Sequence, residues 1–292
     1  MADALIHILR DISTRGLATL AVVLVAVWIG KLIFDLFTRY KIDEEVTGKN
    51  NAAVGIALTG YYIGLAVAIA GVLSGPGSDT LGRDLLMIGL YSVVAIVLLN
   101  ISAFINDKLI LYSFNNNKEL VDDRNAGTGS TMAGSYLATG LIINAVVSGE
   151  ASGAWWQDLL PCLIYFVLGQ VVLIIAGLWY QFITKYDIHQ VIREDDNVAA
   201  GIGFGGFMFA VGYIVRAAMM GGSISWAVDI VSFALYVVIV FILLAVGQFV
   251  TDKIFLPKAK ISDEIGVQGN VAAALISSAI YITMAILIAK SI

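Results

Sequence analysis

Eight stretches of apolar residues, each about as long as a bilayer is thick, alternate along this chain with polar connections of two unequal kinds. They cover residues 16–38, 51–74, 81–105, 125–147, 158–180, 197–220, 227–249 and 271–290. A hydrocarbon core of about 30 Å takes about 20 apolar residues in helical form. No water is present there to pair an open backbone, so each stretch is predicted to be a transmembrane α-helix. The connections after the first, third, fifth and seventh stretches are long and charged. The others are short, with Gly75-Pro76-Gly77 and Gly221-Gly222-Ser223 marking tight turns. Eleven basic residues lie on the long side: Arg39, Lys41, Lys49, Lys108, Lys118, Arg124, Lys185, Arg193, Lys253, Lys258 and Lys260. The opposite side has five, Arg10, Arg15, Arg83, Arg216 and Lys290. This bias predicts that the long loops are cytoplasmic and that both termini lie outside. Trp155, Trp156 and Trp226 fall near outer span ends, where an indole suits the headgroup layer.

The pattern repeats. Asn51, Asn125, Asn197 and Asn270 open the even-numbered spans and stand 74, 72 and 73 residues apart. Nine positions after each comes a second small residue, Gly60, Gly134, Gly206 or Ala279. Asparagine before a helix is a good N-cap, since its side-chain oxygen accepts from a free amide of the first turn. Longer matches pair the two halves. Tyr40 precedes Asn51 by eleven residues, as Tyr186 precedes Asn197, and Asp84 and Tyr91 match Asp229 and Tyr236 at an offset of 145. The expected fold is therefore an all-α membrane protein of eight transmembrane helices, built as four tandem parallel hairpins in two pseudo-symmetric halves. The halves cover residues 1–150 and 151–292, each a four-helix unit, related about an axis along the membrane normal and not inverted. Glycine is concentrated in the even spans, for example Gly60, Gly64, Gly134, Gly201 and Gly205. Small residues let helix backbones approach, so the even helices are expected inside, sheathed by the odd ones.

Composition narrows the function. Of 292 residues 59% are hydrophobic and 13% charged, which excludes a soluble domain. Seventeen basic residues against twenty-two acidic ones leave no footprint for nucleic acid. Cys162 is the lone cysteine and His7 and His189 are far apart, so neither a disulfide framework nor a metal or other cofactor is expected. There is no phosphate-binding loop, helical His pair or nucleophile elbow, hence no candidate catalytic residue and no expected enzyme activity. Residues 1–14 do not read as a cleaved signal. Ala4, Leu5, Ile8, Leu9 and Ile12 have the spacing of a short interfacial helix, with a frayed terminus as the alternative.

Two groups of residues are candidates for function. At the starts of the even helices, Asp122, Asp123 and Asn125, and Asp195, Asp196 and Asn197, sit beside the positive ends of helix dipoles, as do Asn51 and Asn270. Carboxylates there stabilise helices, and together they form an acidic mouth suited to a cation or a basic partner. Within the spans, Lys31 and Asp35 lie four apart and are expected to pair on one helix face. Arg216 is expected to reach the headgroups, and Gln170, Asn100 and Asn144 to bond between helices. No carboxylate falls at mid-membrane, which disfavours a proton relay.

The run Tyr40-Lys41-Ile42-Asp43-Glu44-Glu45 into Asn50-Asn51-Ala52-Ala53 resembles the YjfL-like family of bacterial inner-membrane proteins, as does Tyr186-Asp187-Ile188 into Asp196-Asn197-Val198-Ala199-Ala200-Gly201. Asn125-Ala126 and Asn270-Val271-Ala272-Ala273 match its degenerate second copy. The resemblance covers nearly the whole chain as two units in tandem, and departs from the pattern where Ala274 and Ala279 replace glycines. It implies the fold and an inner-membrane location. It also suggests an envelope-stress role, in which a cytoplasmic membrane-remodelling partner docks on the charged loops. Two functional classes follow: a membrane scaffold or anchor for such a partner, and a channel or transporter for a small ion or a polycation such as a polyamine. Beyond the lipid bilayer, a homo-oligomer is left open.

Overall fold

The computed structural model describes residues 12–75, 80–148, 155–220, 225–257 and 260–291, without the side chains of residues 12, 13, 155–158 and 243. The interfacial helix expected near the N-terminus, His7, Arg10, Pro76, Gly77, the 221–223 turn, Lys258 and the Trp155 and Trp156 rings lie outside this description. Eleven α-helices are present among the described residues: α1 (Leu17–Phe37), α2 (Ala52–Val72), α3 (Leu81–Ile105), α4 (Asn116–Val121), α5 (Ala126–Val147), α6 (Trp155–Ile183), α7 (Ile188–Glu194), α8 (Val198–Met219), α9 (Trp226–Val250), α10 (Ile261–Gly266) and α11 (Val271–Ser291). Eight are long and apolar enough to cross a membrane, as the hydropathy pattern predicts. π-helical turns extend α3 and α9, giving continuous spans over Leu81–Ile110 and Trp226–Phe255.

The long loops are more structured than the pattern suggests. Each folds a short segment just before its asparagine: the π-turn Glu44–Gly48, then α4, α7 and α10. These are too short to display a helical period, but each is anchored by buried aliphatics: Ile42 beside the first, then Leu120, Ile188 with Ile192, and Ile261 with Ile265. The last turn of the preceding span holds the segment's entry. Asp35 Oδ1 accepts from the Ile42 amide at 2.9 Å, Gln181 Oε1 from Ile188 at 2.9 Å and Asp252 Oδ1 from Ile261 at 2.7 Å.

The even spans α2, α5, α8 and α11 do pack on one another, but as a row. Neighbours touch in that order, while α2 and α11 at the two ends form no substantial contact. Glycine makes the row possible. A methyl group on Gly60 would overlap the Ala133 backbone, one on Gly134 the Gly205 backbone, and one on Gly201 the Gly127 backbone. Gly127 faces Asn197, Gly134 faces Gly205 and Gly212 faces Ala138, so α5 and α8 rise in step as parallel helices. Helices α3, α6 and α9 lie along successive grooves between row members, with α1 against α2 and α3. The expected sheath is thus incomplete. Each row helix keeps an open or half-open stripe, such as Ala126, Ser130, Ala133 and Leu137 on α5. Helices α5 and α8, with neighbours on both sides, are the most buried of the four; α2 is buried over about half its length and α11 over about a third.

Aromatic packing displays the two-half repeat. Phe34 meets Tyr61 at 4.5 Å between ring centroids, and Tyr61 meets Tyr136 at 5.9 Å. Tyr180 meets Phe207 at 4.8 Å, and Phe207 meets Tyr281 at 5.3 Å, in the matching positions of the second half.

Candidate functional site

The four asparagines cap their helices as expected, and they also tie each repeat to the next. Asn51 Oδ1 accepts from the Val54 amide at 3.3 Å, Asn125 from Thr128 at 3.0 Å, Asn197 from Ala200 at 2.9 Å and Asn270 from Ala273 at 3.1 Å. The residue before each one, Asn50, Arg124, Asp196 or Gly269, has a left-handed backbone, with φ of 50°, 51°, 48° and 62°. That turn aims the asparagine amide group away from its own helix. Asn51 Nδ2 donates 2.8 Å to the Leu120 carbonyl, Asn125 Nδ2 2.5 Å to Ile192 and Asn197 Nδ2 2.8 Å to Ile265. Each acceptor lies in the short segment of the following repeat. Asn270 Nδ2 donates instead to Glu264 Oε2 at 2.7 Å, within its own repeat.

Two buried glutamates complete this layer: Glu45, part of the acidic run before Asn51, and Glu119, which the sequence pattern did not single out. Glu45 Oε2 accepts from Asn51 at 3.1 Å, and Glu119 Oε2 from Asn125 at 3.1 Å. Glu45 also pairs with Lys49 at 2.6 Å, and this hydrogen bond, outweighing burial, holds its carboxyl below the usual range. Among the described residues Glu119 forms no such ion pair, Lys118 acting on it only at a distance. Burial pushes its carboxyl up, partly offset by Asn125, with Asp123 and Asp196 adding repulsion. The signal available in sequence was the spacing: Glu45, Glu119 and Glu264 each stand six residues before an asparagine, with Val191 in the third repeat.

Asp122, Asp123, Asp195 and Asp196 are exposed around this layer, and Asp123 pairs with Lys118 at 3.0 Å. The buried part of the site is therefore made of asparagines and glutamates, and the aspartates form its rim.

Two expectations for the intramembrane polar groups need correcting. Lys31 and Asp35 do not pair. Lys31 Nζ reaches Asp43 Oδ1 at 2.5 Å, because Asp35 is engaged by the Ile42 amide and faces Lys41 at 3.9 Å. Arg216 does not run free to the headgroups: its Nε donates to Asn144 Oδ1 at 2.6 Å, and Asn144 Nδ2 donates to the Val67 carbonyl at 2.7 Å. One polar chain thus crosses α2, α5 and α8 near the end opposite the caps. Gln170 and Asn100 bond between helices as expected, to Thr139 Oγ1 at 3.3 Å and to the Tyr61 hydroxyl at 2.9 Å.

A cleft of about 490 Å³ opens between α1, α3, α4 and α5. Its walls are mainly apolar, with Phe34, Met132 and Tyr136 among them, and Tyr40, Asn100 and Asn116 supply polar groups. Asn116 is buried with neither side-chain polar atom paired.

These observations define a multi-pass membrane protein of tandem helical repeats, with a capped, hydrogen-bonded layer at one end of its spans. The profile of the family described as Domain of Unknown Function (DUF350) matches the chain twice, over residues 6–147 and 154–292. The chain belongs to that family and carries two of its units in tandem. It is 27% identical over 260 residues to a "UPF0719 transmembrane protein" of Aquifex aeolicus (strain VF5), covering 87% of this chain and 92% of the relative. No solved structure matches the chain.

Proposed function

We propose that this protein is a non-enzymatic scaffold of the bacterial inner membrane, which presents its charged loops to a cytoplasmic partner. The observation that carries this reading is the closure of the helix row at backbone level. Where a single added methyl group would overlap the neighbouring helix, as at Gly60, Gly134 and Gly201, no water-filled path can run between the even helices. What remains available is the capped end. Its asparagine and glutamate layer is buried and hydrogen-bonded, and around it stand the exposed Asp122, Asp123, Asp195 and Asp196. The excess of lysine and arginine on this side orients it to the cytoplasm, with both termini outside. A partner with a basic surface suits that rim, and the family resemblance favours one concerned with envelope stress or membrane remodelling.

Liposome reconstitution tests the reading against the channel or transporter alternative. The scaffold should pass no monovalent cation, Mg²⁺ or spermidine faster than protein-free vesicles. Its loop-outward vesicles should retain a basic cytoplasmic protein, and lose it when Asp122, Asp123, Asp195 and Asp196 are all changed to Asn. Raised salt should mimic that loss, because exposed charges are screened over about 8 Å at physiological ionic strength. Flux above the blank would replace this reading with the channel.

A further inference from the structure

The row of even helices is built by one interface used three times, and at the two ends of the row the described residues leave one surface of it uncovered. Numbering from each asparagine, the residue nine positions on packs against the residue eight positions on in the next helix: Gly60 on Ala133, Gly134 on Gly205 and Gly206 on Ser278. Four positions on, the next helix must be a glycine or alanine. Gly129 abuts the Ala53 carbonyl and Gly201 the Gly127 carbonyl, and Ala274 holds this place in α11. Fifteen positions on, Gly140 abuts Gly64 and Gly212 abuts Ala138. The asparagine amide then closes each junction onto a carbonyl of the next short segment.

The first helix of the row carries the receiving surface with none of the described residues packed on it. Gly55, Thr59, Ala66 and Ala70 of α2 occupy the positions of Gly129, Ala133, Gly140 and Asn144 of α5. A methyl group on Gly55 would meet no atom within 4 Å, whereas Gly129 and Gly201 in the same place tolerate none. Val46 stands where Leu120, Ile192 and Ile265 receive the asparagines; it is 36% exposed, against 1%, 0% and 2% for them. The last helix carries the donating surface equally bare, with Ala272, Ala279 and Thr283 of α11 all exposed. Lipid would be covered as well by leucine and isoleucine, so lipid contact alone gives no reason for glycine, alanine and threonine on the α2 stripe.

We infer that a second copy of this chain docks its α2 against α11 of the first, continuing the row from one molecule to the next. The contact is head-to-tail: different surfaces meet, so it closes into a ring or grows as a row. Its asparagine end reproduces an internal junction, with Ala272 facing Gly55 as Ala53 faces Gly129. Ala279 against Thr59 is bulkier than its internal counterparts, so the junction between chains is looser than those within one. This holds whether or not the protein acts as a scaffold.

The test uses the full chain in native lipid nanodiscs, with Cys162→Ser as background. Chains carrying Ala279→Cys and chains carrying Thr59→Cys are mixed in the membrane and mildly oxidised. The expected product is a disulfide dimer that contains one chain of each kind, and the double variant should give a ladder of higher species. Gly55→Leu should lower the cross-linked fraction about tenfold or more while leaving the melting of the single chain unchanged, since its own fold has space there. No cross-link in the mixture, or dimers formed equally by Ala279→Cys chains alone, would overturn the inference. So would wild-type association in Gly55→Leu.

Discussion

Replacing Gly134 with alanine sets one methyl group against the backbone of Gly205, which cannot swing aside as a side chain would. Alanine favours a helix over glycine by about 0.5–1 kcal/mol. Against this stands the strain of forcing α5 and α8 apart, about 1–3 kcal/mol for a methylene added to a packed core. Gly89 of α3 provides the comparison, since a methyl group there meets nothing within 4 Å. The helix preference is common to both substitutions, so the difference between them isolates the packing strain. Gly89→Ala should stabilise by about 0.5–1 kcal/mol and Gly134→Ala should fall about 1–3 kcal/mol below it. Unfolding of both variants in mild detergent, followed by tryptophan fluorescence against added denaturing detergent, measures that gap. If the two shift together, the row is not packed backbone to backbone, and the case against a water-filled path fails with it.

Asn125→Ala removes a cap and leaves the buried Ile192 carbonyl without its donor, so it should cost about 2–4 kcal/mol in the same assay, against about 1 kcal/mol for Asn270→Ala. Glu45, whose folded carboxyl titrates below the unfolded value, supports the fold above about pH 4.3 and loses that effect as pH falls through its folded value. Glu119, shifted upward, opposes the fold once ionised, so at pH 7 Glu45→Gln should destabilise and Glu119→Gln should not; unfolding curves taken at stepwise lower pH should show both differences shrink in acid, the Glu119 one first. Arg124 has a left-handed backbone that only glycine adopts freely, and Arg124→Gly should raise stability by about 1 kcal/mol in the detergent assay. With Cys162→Ser as background, Lys118→Cys should resist an impermeant maleimide applied to intact cells, and labelling from outside would reverse the proposed orientation.

The fold was largely legible because each level of it has a period. Length and hydropathy mark the eight spans, and the spacing of Asn51, Asn125, Asn197 and Asn270 marks the four repeats. Their capping role follows from chemistry local to the chain. What the asparagine amide groups do was not legible, since Leu120, Ile192 and Ile265 accept through their carbonyls and any residue has one. The Lys31–Asp35 pair looked sound at helical spacing, but a backbone amide seven residues on and Asp43 outbid it, and neither competitor shows in a helical wheel. Glycine spacing likewise told which helices approach closely. It could not tell a closed cluster from an open row, because both use the same pairwise contact.

The direction of the asparagine bonds bears on how the protein is made. A chain leaves the ribosome from its N-terminus at about 5–20 residues per second. The Asn51 amide group finds its acceptor only after residue 120 has emerged, Asn125 waits for residue 192, and Asn197 waits for residue 265. Each of the first three hairpins thus has its capped end completed only once its successor has been made. The three junction bonds therefore become available in the order of synthesis, one per repeat. A chain stalled after its first unit would lack the Ile192 acceptor and keep only the Glu119 bond of the Asn125 amide group.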